Sequence, residues 1–383
     1  MQEHSTHSPN PQSIVSHFIM HHSIRTVTAA LVVWLGTFCF AGEAGSTRPQ
    51  LPEISGKVEL EVRDGAGSPA RKLAVHLVYS RNRLSTVTAK TGIMLSLHNW
   101  GGTIWDNTPN PNHLAENYDL LVIGVSYYQS GDKDSDPEPY DFGYIQTMDV
   151  LRALHYVYQS LKASNHPFDS TRIYCTGGSG GGNVALMATK FAPNTFAAIV
   201  DLSGPPSLTH DIAFHLPGGS PLNARWNRDP QSPSYLSPDM QEIRDTGNAA
   251  HLALQAKAGN RCKMVMIHGE DDPVCLASDK HRVVDVMRAA GLDVDPHFIT
   301  KADIDGTLIK NSGHQIGERT GLLIHFAGKY LSPQSDQMCG LTKPNDFDRR
   351  ISVAYPTSNG VHTIDYSEEV PTLVFRAAKQ GGN

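Results

Sequence analysis

The chain has 383 residues, 39% of them hydrophobic, with 33 glycines and 24 prolines, which is enough apolar material for one large domain or two modest ones. Collagen-like, coiled-coil and wholly disordered classes are excluded. The formal net charge of -6 offers no basic stripe to a polyanion, so nucleic acid is not an expected partner.

Residues 1–22 are polar and His-rich, after which Arg25 precedes the apolar run Val27–Phe40 (VTAALVVWLGTFCF) and the small residues Ala41, Gly42 and Ala44. This reads as a secretory signal, cleaved after Ala41 or Ala44. Met20 is an alternative start that makes Met20–Ala44 a compact signal. A bilayer span needs about 20 apolar residues, so no stable membrane span is expected after cleavage, and the expected location is secreted or periplasmic.

Val58–Val62 and Leu73–Tyr79 read as strands joined by turn residues 64–68 into a hairpin. Gly92–Leu97 is an apolar strand running into Gly101-Gly102, and Leu120–Ser126 (LLVIGVS) is a continuous apolar run typical of a strand covered on both faces. Ile145, Met148, Leu151, Leu154, Val157 and Leu161 fall at helical spacing within Tyr144–Leu161. The pattern continues with strand Thr171–Cys175, helix Asn183–Phe191, strand Ala197–Leu202, strand Met264–Ile267, helix Ala277–Ala290, strand Val294–Ile299 and helix Gly317–Tyr330. Repeated strand-helix-strand units predict an α/β fold with a mostly parallel central sheet and helices on both faces. Residues 203–258 break the pattern with Pro, Gly, Ser, Asn and Asp, and a segment of that length is expected to be an insertion over the site, the bland alternative being a surface excursion. Ile351–Tyr355 and Val361–Tyr366 alternate again and predict a small β appendage.

Outside the signal stand Cys175, Cys262, Cys275 and Cys339. Cys262 and Cys275 bracket a strand about 20 Å long at about 3.3 Å per residue, too far for a disulfide. Cys275 with Cys339 is the favoured bridge in an exported protein, against four unpaired thiols. No Cys/His spacing suggests zinc.

The sharpest motif is Gly177-Gly178-Ser179-Gly180-Gly181, set between a strand ending at Cys175 and a helix starting near Asn183. A nucleophile on a tight strand-to-helix turn needs strained backbone and small neighbours, making Ser179 the candidate nucleophile. Its weak hydroxyl needs a base held by a third group. His314, in the small-residue loop NSGHQIG after the last strand of the sheet, is the candidate base. The acid comes from MVMIHGEDDPVC, with Asp272 preferred over Glu270 and Asp271, and Asp201 a distant alternative. For the oxyanion hole, Gly180 is expected to give one N–H and the loop His98-Asn99-Trp100 the other, from Trp100 before Asn99. The sequence leaves open whether Tyr127, Tyr128 and Trp226 line the cleft.

In the chain order Ser179, Asp272, His314 the sequence resembles the α/β-hydrolase superfamily over Lys57–Leu331, and GGSGGG with HGEDDPV is similar to the prolyl oligopeptidase, dienelactone hydrolase and bacterial esterase branches. In those families a His-Gly-x-x-Asp-x-x-Val segment carries the acid; here it maps to His268, Gly269 and Asp272, with Cys275 in place of the final Val. Asn99 stands where a glycine usually follows the histidine. The resemblance implies an α/β-hydrolase catalytic domain over 45–331, flanked by an N-terminal extension and signal (1–44) and a C-terminal extension (332–383). It implies serine hydrolysis through an acyl-enzyme with no metal or organic cofactor. Carboxylic esters, small or polymeric, are the expected substrates; a serine peptidase is the alternative, and a catalytically inactive binding protein the third reading.

Overall fold

The computed structural model describes residues 50–378 other than 66, 134 and 369; the expected signal lies outside the described residues. The described chain opens on the expected hairpin. β1 (Gly56–Val62) pairs antiparallel with β2 (Arg71–Val78), Gly56 opposite Leu77 and Val62 opposite Arg71. β3 (Gly92–Leu97) follows, buried along its whole length. α1 (Pro111–Asn117) has proline in its first turn and the Asn110 side chain accepting from two N–H groups at its start. β4 (Leu120–Ser126), α2 (Tyr144–Ala163), β5 (Ile173–Gly178), α3 (Gly180–Phe191) and β6 (Ala198–Leu202) bring the sheet to six strands.

Between β6 and the next strand, the Pro-rich segment folds into three short helices, α4 (His210–Phe214), α5 (Pro238–Ile243) and α6 (Ala249–Ala258). Then come β7 (Lys263–Gly269), α7 (Ala277–Ala289), β8 (Val294–Ile299), α8 (Arg319–Leu331) and the single turn α9 (Asp346–Arg349). The eight strands lie in the order β1-β2-β4-β3-β5-β6-β7-β8. β2 meets β4 antiparallel, and every pairing from β4 onward is parallel. This is an α/β-hydrolase sheet.

Both faces of the sheet are covered, and the side-chain period of two sorts the strands between two cores. Ile93, Leu95 and Leu97 of β3 point into a core shared with α2, α3 and α7, whereas Met94 joins Val122, Tyr174 and Val265 under α1 and α8. A third apolar cluster lies apart from both. Ile212, Ala213, Ala224 and Leu236 of the β6–β7 segment pack there with Tyr140 and Phe142, and Trp100 and Trp226 pack against it. The segment therefore covers the loop after β3 and is an insertion rather than a loose excursion.

The C-terminal strands form a separate antiparallel sheet, β9 (Ser352–Thr357), β10 (Gly360–Asp365) and β11 (Thr372–Ala377), in the order β11-β10-β9. The appendage has one strand more than expected. The favoured disulfide is overturned: Cys175, Cys262, Cys275 and Cys339 are all free thiols. Cys275 lies beyond the end of β7 beside His314, while Cys339 sits toward its beginning, near Lys263. A seven-residue strand of about 3.3 Å per residue separates them. Among the described residues no helix is long and apolar enough to cross a membrane.

Candidate active site

Ser179 stands between the last residue of β5 and the first of α3, with φ 55° and ψ -121°. A residue with a Cβ holds this conformation only where its surroundings over-determine it. They do so here: the Ser179 N–H donates to Leu202 O at 2.8 Å, and its carbonyl accepts from the Gly182 N–H at 2.8 Å. Two glycines make the turn fit. A Cβ on Gly177 would collide with the backbone of Gly181, and one on Gly180 would stand 2.5 Å from the Trp100 nitrogen. The helix start is thus pressed onto both its own strand and the loop after β3.

His314 reaches this turn from the loop between β8 and α8, which is pinched by the Lys310 N–H to Ile316 O bond at 2.7 Å. Its Nε2 lies 2.9 Å from Ser179 Oγ and its Nδ1 2.8 Å from Asp272 Oδ2. An ionised carboxylate only accepts, so Nδ1 carries the proton and Nε2 is left to take the serine's. Asp272 is itself fixed, with Oδ1 accepting from the N–H groups of Val274 at 2.8 Å and Cys275 at 3.0 Å. Burial works to raise its carboxyl, but the His314 hydrogen bond and charge, followed by those two N–H groups, outweigh it and hold the group below the usual carboxylate value.

The three alternative acids are engaged elsewhere. Glu270 pairs with His281, and Asp271 accepts from Ser312 Oγ at 2.6 Å. Asp201 is fully buried and bonded to the equally buried Lys280. The two expected oxyanion donors lie against each other. Gly180 opens α3, so its N–H has no partner in the preceding turn, and among the described residues the Trp100 N–H donates to no backbone group outside the helices and strands. Asn99 instead gives its carbonyl to His98 Nδ1 at 2.8 Å and to the Gly102 N–H at 3.0 Å. Tyr127 buttresses this loop from within, its ring stacked 3.9 Å from that of His98 and its hydroxyl donating to His98 O. Tyr128 turns away to Glu138, and Trp226 joins the aromatic cluster of Trp100.

Two neighbours flank this row: His268, which the sequence placed in the segment of the acid, and Arg319, which carried no sequence signal. His268 lies behind the acid, 3.5 Å from Asp272 Oδ2, with Nε2 bonded to Cys275 O at 2.7 Å. Burial, aided by the charge of Lys280, lowers its pKa to about 4, so it is neutral. Arg319, the first residue of α8, is 4% exposed and donates from Nε to Asn107 at 2.9 Å beside the turn. Burial brings its pKa down to about 10. Donor atoms of Asp272, Cys275 and His314 lie within 4.8 Å of one another, but the first and last are already hydrogen-bonded to each other.

Sequence comparison with curated proteins finds no match. A family model described as a protein of unknown function, DUF2920, matches residues 133–374. The chain belongs to the DUF2920 family. The span shared with the DUF2920 model includes Ser179, Asp272 and His314 as well as the insertion, and excludes Trp100. Among solved structures, the DUF2920 chain is similar to the acylaminoacyl peptidase of Pyrococcus horikoshii (TM-score 0.51, 13% identity, 74% of this chain and 43% of that one). It is also similar to a puromycin hydrolase mutant complexed with PGG (TM-score 0.50, 13% identity, 75% and 41%). The chain spans less than half the length of either structure. At this identity the likeness establishes the α/β-hydrolase fold of this DUF2920 protein.

Proposed function

We propose that this DUF2920 protein is a serine hydrolase working through an acyl-enzyme. The observation that carries the reading is the unbroken row Ser179 Oγ, His314, Asp272, at 2.9 and 2.8 Å, on a turn whose serine is held at φ 55°. Ser179 attacks a carbonyl carbon as its proton passes to His314 Nε2, and Asp272 holds the imidazolium. The developing oxyanion is placed on the N–H groups of Gly180 and Trp100. His314 then returns the proton to the leaving group, and water, activated by the same imidazole, releases the acid.

The names of the two similar structures, a peptidase and a puromycin hydrolase, favour a peptide or acylated-amine bond over the carboxylic ester. Ester cleavage is the second reading, supported by the complete row, since an alkoxide leaves more readily than an amine. The apolar run Val27–Phe40 and its small-residue flank support export.

A fluorophosphonate probe should label Ser179, and labelling should vanish in His314→Ala. Parallel assays of an aminoacyl anilide and a p-nitrophenyl ester then rank the bonds. An unlabelled wild-type protein would favour the binding-protein reading.

A further inference from the structure

The C-terminal sheet takes no part in this chemistry, yet it grips the insertion. At its β9–β10 turn, the Ser358 N–H donates to Glu242 Oε2 at 2.8 Å and the Ser358 hydroxyl to Glu242 Oε1, while Asn359 Nδ2 donates to Asp239 Oδ1 at 2.8 Å. Both acceptors belong to α5. His251 of α6 bonds through Nε2 to Pro356 O at 2.8 Å. The hydroxyls of Tyr355 and Tyr366 donate to the carbonyls of Lys190 and Phe191, at the end of α3. Lys190 Nζ in turn donates to Ile243 O at 2.7 Å and Asp245 O at 2.9 Å, where α5 ends. The insertion helix is thus clamped between the appendage and the helix that begins at the nucleophile.

From α5 the contacts run on to the site. Arg244, 1% exposed, donates from Nε to Asp141 O at 2.6 Å and from Nη1 to Met240 O at 2.8 Å, and its guanidinium lies 5.3 Å from the Trp226 ring. Trp226 Nε1 donates to Tyr140 O at 3.2 Å, and the Tyr140 ring is stacked on Trp100 at 3.8 Å and 6°. Trp100 is the residue whose N–H adjoins Gly180.

We propose that the C-terminal sheet is a positioning element of the substrate pocket. By holding α5 it sets the aromatic wall of Trp226, Tyr140 and Trp100, and that wall selects a large apolar acyl group. The inference rests on the serine-hydrolase reading and deepens it.

The test compares the rates at which Ser179 is labelled by a small alkyl fluorophosphonate and by a bulky aryl one. In the double variant Ser358→Ala/Asn359→Ala, the bulky probe should slow by about tenfold, as expected for the partial loss of an apolar pocket contact, while the small probe stays within about twofold. Trp226→Ala should likewise slow labelling by the bulky probe. A purely structural role would slow both probes together; equal slowing, or no change in either, in a protein with wild-type circular dichroism overturns the proposal. Should the double variant not fold, Glu242→Gln decides the matter by the same two rates. A wild-type protein that neither probe labels overturns the serine-hydrolase reading and this inference with it.

Discussion

Substituting Gly180 by alanine tests the oxyanion arrangement with a single methyl group. A Cβ at this position would lie 2.5 Å from the Trp100 nitrogen and 3.0 Å from its Cα and Cβ. To restore an ordinary contact of 3.4 Å, the Trp100 amide must retreat by roughly 0.9 Å, more than the about 0.3–0.4 Å range over which a donor still makes a good hydrogen bond. The variant keeps Ser179, His314 and Asp272 but loses one oxyanion donor, which is worth about 3 kcal/mol or 100- to 1,000-fold in kcat. KM should change little, because the lost bond strengthens only as charge develops. Alanine favours a helix over glycine, so unfolding should not set the result. Steady-state kinetics on a chromogenic ester and an anilide, with urea denaturation alongside, would give the numbers. A folded Gly180→Ala protein with kcat within about fivefold of wild type would refute the placement of the hole at Trp100 and Gly180.

Three further outcomes are expected. Asp272→Asn should lower kcat by about 10,000-fold with folding intact, because the amide can hold His314 in the wrong tautomer; a loss under tenfold by stopped-flow acylation would contradict the role given to Asp272. Ser179→Gly should abolish turnover yet raise stability by about 1 kcal/mol in urea melts, since glycine relieves the strain at φ 55°; an unchanged or lower midpoint argues against stored strain. Lys190, whose pKa burial lowers to about 7 from an ordinary 10.5, is neutral in the folded protein above that value while the unfolded chain still holds the proton. Wild-type stability should therefore rise with pH relative to Lys190→Met, by at most about 1.4 kcal/mol per unit, across roughly pH 7 to 10.5; parallel stability curves for the two proteins would refute the neutral lysine.

The central sheet was readable because strands buried on both faces are written as unbroken apolar runs: LLVIGVS and GIMLSL could hardly be anything else. The nucleophile turn was readable for a related reason, as close backbone approach leaves glycine little competition. What escaped was built from short pieces. α1 has seven residues, and α4 and α5 have five and six, too few for a helical period to show. The apolar residues of α4, and Met240 of α5, are spaced to meet the cluster of Tyr140 and Phe142, so their pattern belongs to a core assembled from distant segments. β11 was missed because its edge position leaves Val374 and Phe375 about 40% exposed, blurring its alternation. The disulfide expectation failed because sequence spacing did not show that Cys275 and Cys339 sit at opposite ends of β7. Arg319 and Lys280 lay in helices whose polar residues are ordinarily on the surface.

The bond between Lys280 and Asp201 bears on how this site could change. Asp201 is the penultimate residue of β6, next to β7, whose following loop carries Asp272, the acid proposed here, and Asp201 is the distant alternative that the sequence offers for that role. Because a lysine with no exposed surface occupies that carboxylate, loss of Asp272 has no backup one strand away. Relocating the acid to position 201 would therefore require replacing Lys280 as well, because that lysine already holds the carboxylate.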